Sequence, residues 1–251
     1  MNNSNDDQQE PREGQWAQPV SRLRVSGAPA GAPNLNIDGR QVSGALQGFG
    51  KLWQKTYRAR LTGAAVNTRE VIKVWKENFP KFQPRGNRFY PAGEGMTPGE
   101  ILLIDAPLPV MPGTRGLIPL NSGVMVLYAD DESFTVMTPE GFPESGWNTF
   151  SAYEEDGCVV VQVQSMARAA DPIYELGFML MGGARMQEQT WQHVLNALAE
   201  HFGVKAEVQT QKVCIDPKWQ WRHARNIWYN AGVRTLLYKL GAPLRRAKRR
   251  G

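Results

Sequence analysis

The sequence predicts an α+β domain in which a curved antiparallel sheet grips one long C-terminal helix. Three observations carry this. Apolar and polar residues alternate in several short runs joined by turn-forming residues, the signature of consecutive half-buried strands. Asp156-Gly157 marks a tight hairpin between two of them. After Asp171-Pro172, a cap residue followed by a first-turn proline, an apolar stripe at helical spacing runs to Phe202.

Each element follows in order. From Leu52 to Thr62, Trp53, Tyr57, Ala59 and Leu61 share one side, and Lys55 alone breaks it. Asn67 is placed to cap a short helix whose apolar face is Val71, Val74, Trp75 and Phe79, stopped near Pro80. Residues 83–99 and 107–116 are rich in Gly and Pro and read as loops, with an apolar strand at Ile101–Ile104 between them. Strands follow at Gly123–Tyr128, Ser133–Thr138, Trp147–Glu154 and Cys158–Ala167. In the final helix Ile173, Leu176, Gly177, Leu180, Ala184, Gln187, Trp191, Val194, Leu195, Leu198 and Phe202 fall on one stripe. A helix over 172–202 spans roughly 45 Å at 1.5 Å per residue, with Gly182-Gly183 as its weak point. Val204–Val208 alternates and reads as an edge strand.

Three units result: 1–46, 47–203 and 204–251. The first, rich in Asn, Gln, Asp, Gly, Pro and Ser, has apolar residues too scattered to offset its ordering entropy and reads as a disordered leader. A docking peptide around Trp16 or Leu23 is the alternative. It lacks the basic start and apolar run of a secretory signal. The second unit is the sheet-and-helix domain. The third combines the edge strand with a basic, aromatic helical extension.

Charge separates the units further. From Pro217 onward the chain carries ten Lys/Arg and no acid, while the remainder has a net charge of −5. Attraction to anionic partners therefore resides in the tail. Lys218, Trp219, Trp221, Arg222, Arg225, Trp228, Arg245 and Arg246 interleave cations with rings, a composition that suits an anionic membrane surface. The same composition suits nucleic-acid phosphates with base stacking, and a helix docked on its own domain or a second subunit is the third possibility.

Between Gly141 and Phe202, Pro143-Glu144-Ser145-Gly146, Phe150, Tyr153-Glu154-Glu155-Asp156-Gly157, Ala167-Arg168-Ala169, Arg185 and Gln187 form a pattern. In it the chain resembles the START-like helix-grip superfamily, and within that an uncharacterised family of plant and bacterial domains. Phe142-Pro143 and Trp147 depart from it, standing where that family often has a histidine and an acid. The resemblance implies a cavity between sheet and helix.

Candidate site residues divide by chemistry. Gln187 lies within the apolar stripe, so its amide either satisfies a backbone group or meets a ligand. Arg168, at a strand end, either anchors the strand–helix corner or lines a cavity mouth. Tyr57, Trp75, Tyr90, Tyr128, Trp147 and Tyr153 are aromatics suited to line an adaptable apolar pocket, or to form the core, and Trp191 on the helical stripe is a further candidate for the lining. Three histidines without carboxylates at metal spacing, and Cys158 and Cys214 far apart, point to no metal site. With no phosphate loop, dinucleotide fingerprint or nucleophile elbow, no cofactor is expected.

The expected function is non-catalytic binding or transport of an apolar or amphipathic small molecule, with an enzyme of the same fold as the rival. A nucleic-acid-associated role through the tail is a further alternative. The expected location is cytoplasmic, with peripheral membrane association through the tail; the sequence leaves oligomeric state open.

Overall fold

The computed structural model describes residues 15–26, 34–91, 96–109 and 117–241. They form strands β1 (Gln15–Trp16), β2 (Leu52–Arg60), β3 (Arg88–Pro91), β4 (Ile101–Pro109), β5 (Leu117–Ala129), β6 (Ser133–Met137), β7 (Glu144–Glu155), β8 (Cys158–Ala169) and β9 (Gln209–Asp216). The helices are α1 (Thr68–Asn78), α2 (Pro172–Leu180), α3 (Gly183–His201) and α4 (Ala231–Leu240), with a 3-10 helix at Trp221–Tyr229. The strands make one antiparallel sheet in the order β3-β4-β5-β6-β7-β8-β2-β9, and β1 pairs with the end of β5. Its inner face closes on α1 and α3, which is the helix-grip arrangement.

Local chemistry accounts for the main elements. The Asn67 side chain accepts the Glu70 N–H at the start of α1, and Asp171 accepts the N–H groups of Ile173 and Tyr174 at the start of α2. Asp156 and Gly157 have φ of 51° and 68°, as the two central residues of a type I′ hairpin turn require. On the inner face Tyr57, Phe134, Phe150, Val163 and Leu102 meet Trp75 of α1 and Leu195 and Leu198 of α3 in one core.

The long helix is two. Gly182 takes φ 75°, a left-handed conformation that ends α2 and restarts the chain as α3. The break resets the helical phase. In α3 Val194, Leu195 and Leu198 are buried as the stripe predicts. In α2, Tyr174 and Glu175 turn inward instead, and Ile173, Leu176 and Leu180 face outward. Glu175 is accommodated because its carboxylate accepts the Trp219 indole N–H at 3.0 Å. Gly50 makes room for it, since a Cβ there would lie 2.1 Å from Glu175 Oε2 and 2.8 Å from the Ala169 Cβ. Gly50→Ala is therefore expected to lower stability by about 1–3 kcal/mol in a thermal or denaturant melt.

The other departures lie at the ends and in the loops. Within the segment read as a disordered leader, Leu23 and Ile37 are fully buried against Ile101, Leu103 and Met125 on the outer face of the sheet. Asn36 ties this segment to both β5 and α4, its amide donating to Asn121 O, Ala231 O and Thr235 Oγ1. These residues fold because single large side chains and backbone hydrogen bonds hold them, without any periodic face of their own. Residues 1–14 lie outside the described residues. The stretch 83–99 contains β3, and β4 extends to Pro109, beyond the strand read at 101–104. The edge strand after α3 is Gln209–Asp216, not 204–208, whose Val204, Ala206 and Val208 pack against the core from a non-strand segment. The tail helix divides into the 3-10 helix and α4, docked through the buried Asn230, Ala231 and Thr235.

Candidate functional site between the sheet and the broken helix

Antiparallel register sets the site. One row across the sheet is Asn148–Ser165–Lys55–Lys212, and the next is Phe150–Val163–Tyr57–Thr210. Both rows face the helices, because Phe150, Val163 and Tyr57 belong to the inner core. Gln187 and Trp191, one turn apart on α3, descend onto them. The Trp191 ring lies 5.5 Å from that of Phe150, edge to face.

A polar cluster joins the first of these rows to α3. Lys55 Nζ donates to Gln187 Oε1, Gln187 Nε2 donates to Glu144 Oε2, and Lys55 lies 3.9 Å from Glu144 Oε1. The Lys55 and Glu144 side chains are only 12% and 13% exposed. Burial pushes the Glu144 carboxyl above its ordinary range, and Lys55 and Gln187 partly oppose that. The Tyr57 phenol is pushed far up, by burial first and then by the charges of Glu144 and Glu188, so it stays protonated.

Four polar atoms of these two rows and of α3 have no hydrogen-bond partner among the described residues. They are Tyr57 Oη, Asn148 Oδ1, Trp191 Nε1 and Thr210 Oγ1, all buried. An orphaned buried group costs about 1–3 kcal/mol, so four in adjoining positions mark a place where something else supplies partners.

Beside the cluster, at the helix break, a cleft of about 240 Å³ opens. Lys51 and the β2 residues Trp53 and Lys55, with Glu144, Ala167, Arg168, Ala169 and Lys212, line one side; Glu175, Phe178, Met179 and Ala184 line the other. The break at Gly182 lies between Met179 and Ala184 of this lining. A larger cleft of about 500 Å³ lies on the far side of Ser145, lined by Ser43, Glu140, His223, Arg225 and Asn226. Its lining is mostly polar, and the four orphaned atoms line neither cleft.

The structure brings together only some of the residues singled out by sequence. Tyr57, Gln187 and Trp191 meet beneath α3. Trp75 is nearby but wholly enclosed, packed edge-on against Phe134 and Phe150 as core. Trp147 and Tyr153 alternate with the inward-facing Phe150 and Ala152, so they lie on the outer face. Tyr128 is at the end of β5, its hydroxyl donating to Asp130 Oδ2 at 2.5 Å. Arg168, paired in register with Ser145, binds Asp216 at 3.0 Å, anchoring the corner between β8 and the tail, and is also among the residues that line the cleft. Sequence reasoning missed Lys55 and Glu144 as a pair, and Asn148 and Thr210. The available signal was Lys55, the one polar residue on the apolar side of its strand.

Of the tail residues, Trp221 and Trp228 are exposed, at 68% and 80%, and Trp219 is half-exposed over Phe49. Lys218, Arg222 and Arg225 are placed around them; Arg245 and Arg246 lie outside the described residues. Among the described residues no helix is long and apolar enough to cross a membrane.

No family model and no curated protein matches this chain. Solved structures share its general outline at low identity. Protein Ms6760 from Mycobacterium smegmatis is 13% identical with a TM-score of 0.42, the match covering 65% of this chain and 96% of that one. The di-domain ARO/CYC StfQ from the steffimycin biosynthetic pathway is 12% identical at 0.44, over 61% of this chain and 50% of that one. Ara h 8.0201 is 11% identical at 0.40, over 60% and 97%. These likenesses are too distant to bear on function, and the helix-grip class rests on the sheet order and helix placement described above.

Proposed function

We propose that this chain is a divergent START-like protein, akin to the uncharacterised plant and bacterial family, that binds a compact amphipathic molecule beneath α3. The observation that carries this reading is the buried Lys55–Gln187–Glu144 cluster at the edge of a cleft that Lys55 and Glu144 themselves line, beside Trp53, Phe178 and Met179. An amphipathic ligand answers both features: its apolar part covers Trp53, Phe178 and Met179, and its polar end reaches the cluster. The cleft is smaller than the ~300–1,000 Å³ typical of drug-sized sites, so the occupant is compact. Binding without turnover fits the chemistry. Tyr57 is held as a hydrogen-bond donor rather than a base, and Glu144 is occupied by Gln187 and Lys55.

The test is an isothermal titration with decanoate, a compact amphiphile whose carboxylate suits Lys55. Saturable one-to-one binding, weakened about ten-fold or more by Gln187→Leu, is the expected result. Non-saturable uptake, or binding indifferent to Gln187, would remove the cluster from the site.

A further inference from the structure

α2 has two different faces. Glu175, Phe178 and Met179 line the cleft, whereas Ile173, Leu176 and Leu180 point to solvent at 40%, 55% and 64% exposure. Those three positions recur at helical spacing and form a continuous stripe. α4 repeats the pattern, with Val233, Leu237 and Leu240 exposed at the same spacing. Singly exposed leucines are ordinary, but two such stripes beside the exposed Trp221 and Trp228 are not.

The two helices belong to one surface. Trp219 Nε1 donates to Glu175 Oε1, Asn230 Nδ2 to Asp171 Oδ2 at 2.8 Å, and the Gly232 N–H to Tyr174 Oη at 3.0 Å. This stitching fixes the tail against α2. The two terminal segments outside the described residues offer little apolar cover by composition: 242–251 holds five cations and one leucine, and 1–14 is almost wholly polar.

Charge decides what covers the surface. From 217 to 241 there are five Lys/Arg and no acid, and the one acid of α2, Glu175, is turned inward. A second copy placed symmetrically on this face would set cations against cations. Single-stranded nucleic acid would use the rings and cations but leave both aliphatic stripes in water. An anionic bilayer engages all three: aliphatic side chains in the acyl boundary, indoles at the headgroups, cations on phosphate and carboxylate. We infer that α2, the 3-10 helix and α4 form a single docking surface for anionic lipid bilayers. The surface is rigid and folded rather than a free basic tail, and α2, the wall of the cleft, is half of it. This holds whatever occupies the cleft.

The experiment is flotation of the full chain with phosphatidylcholine–phosphatidylserine vesicles and with phosphatidylcholine alone, with tryptophan emission read in parallel. Binding to the mixed vesicles with a blue shift, reduced but not abolished by salt, is expected. The exposed-face variants L176E/L180E on α2 and L237E/L240E on α4 should each lower partition about ten-fold or more at unchanged melting temperature. Trp228→Ala, at the most exposed ring, should lower it with less perturbation still. Partition unaffected by the α2 pair would overturn the proposal. So would a wild-type chain that ignores anionic vesicles while binding a short single-stranded RNA, or while forming a dimer that these variants dissolve.

Discussion

Replacing Trp75 by alanine is expected to lower the unfolding free energy by about 3–5 kcal/mol, the range for deleting a large aromatic from a close-packed core. Trp75 is fully buried and meets Phe134 and Phe150 edge to face, with centroids at 5.9 and 5.4 Å. These rings join α1 to the centre of the sheet, so the cavity would open where helix and sheet are pinned together. Trp75→Phe should cost only about 1–1.5 kcal/mol, because the indole N–H has no partner among the described residues to lose. Urea melts of the two variants separate the effects. Small losses in both would mean that the aromatic cluster is not the keystone of the core. Retained decanoate binding in Trp75→Phe would agree with its place in the core rather than in the site.

Lys55→Met is expected to cost about 3 kcal/mol at neutral pH, because it leaves the Glu144 carboxylate buried without its counter-charge. The cost should depend on pH in a definite direction. Glu144 already has a folded-state pKa above its ordinary value, and losing Lys55 raises it further. A carboxyl raised on folding contributes stability below its unfolded pKa, near about 4.3, and that contribution is lost as pH rises through the folded value. The destabilisation should therefore be largest at neutral pH and shrink towards about pH 4, where Glu144 is protonated with or without Lys55. Denaturant melts across this range provide the check. A cost independent of pH would mean that Lys55 acts through packing of its aliphatic stem.

Much of the scaffold was legible because it is written locally. The Asn67 and Asp171 caps, the Asp156-Gly157 turn and the alternation in β2 and β8 each state their structure within a few residues. The phase of α2 was not, because the stripe from Ile173 to Phe202 reads as continuous only if Gly182 is helical, and its left-handed φ rotates everything before it. Leu23 and Ile37 were invisible for a different reason. Each is a lone anchor in a polar stretch, and its partners on β4 and β5 are distant in sequence. The site lies between these cases. Gln187 on an apolar stripe and Lys55 on an apolar strand face were both visible as anomalies, but their meeting with Glu144 depends on strand order, which no local pattern encodes.

The central claim is that the space beneath α3 holds a compact amphipathic molecule through Lys55, Gln187 and Glu144. Native mass spectrometry of the full-length protein from its own host, before and after extraction with organic solvent, tests it most directly. The account expects a discrete added mass at one per chain that extraction removes and that Gln187→Leu fails to retain. An apo mass under gentle conditions, together with no gain in melting temperature when the extract is returned, would contradict it.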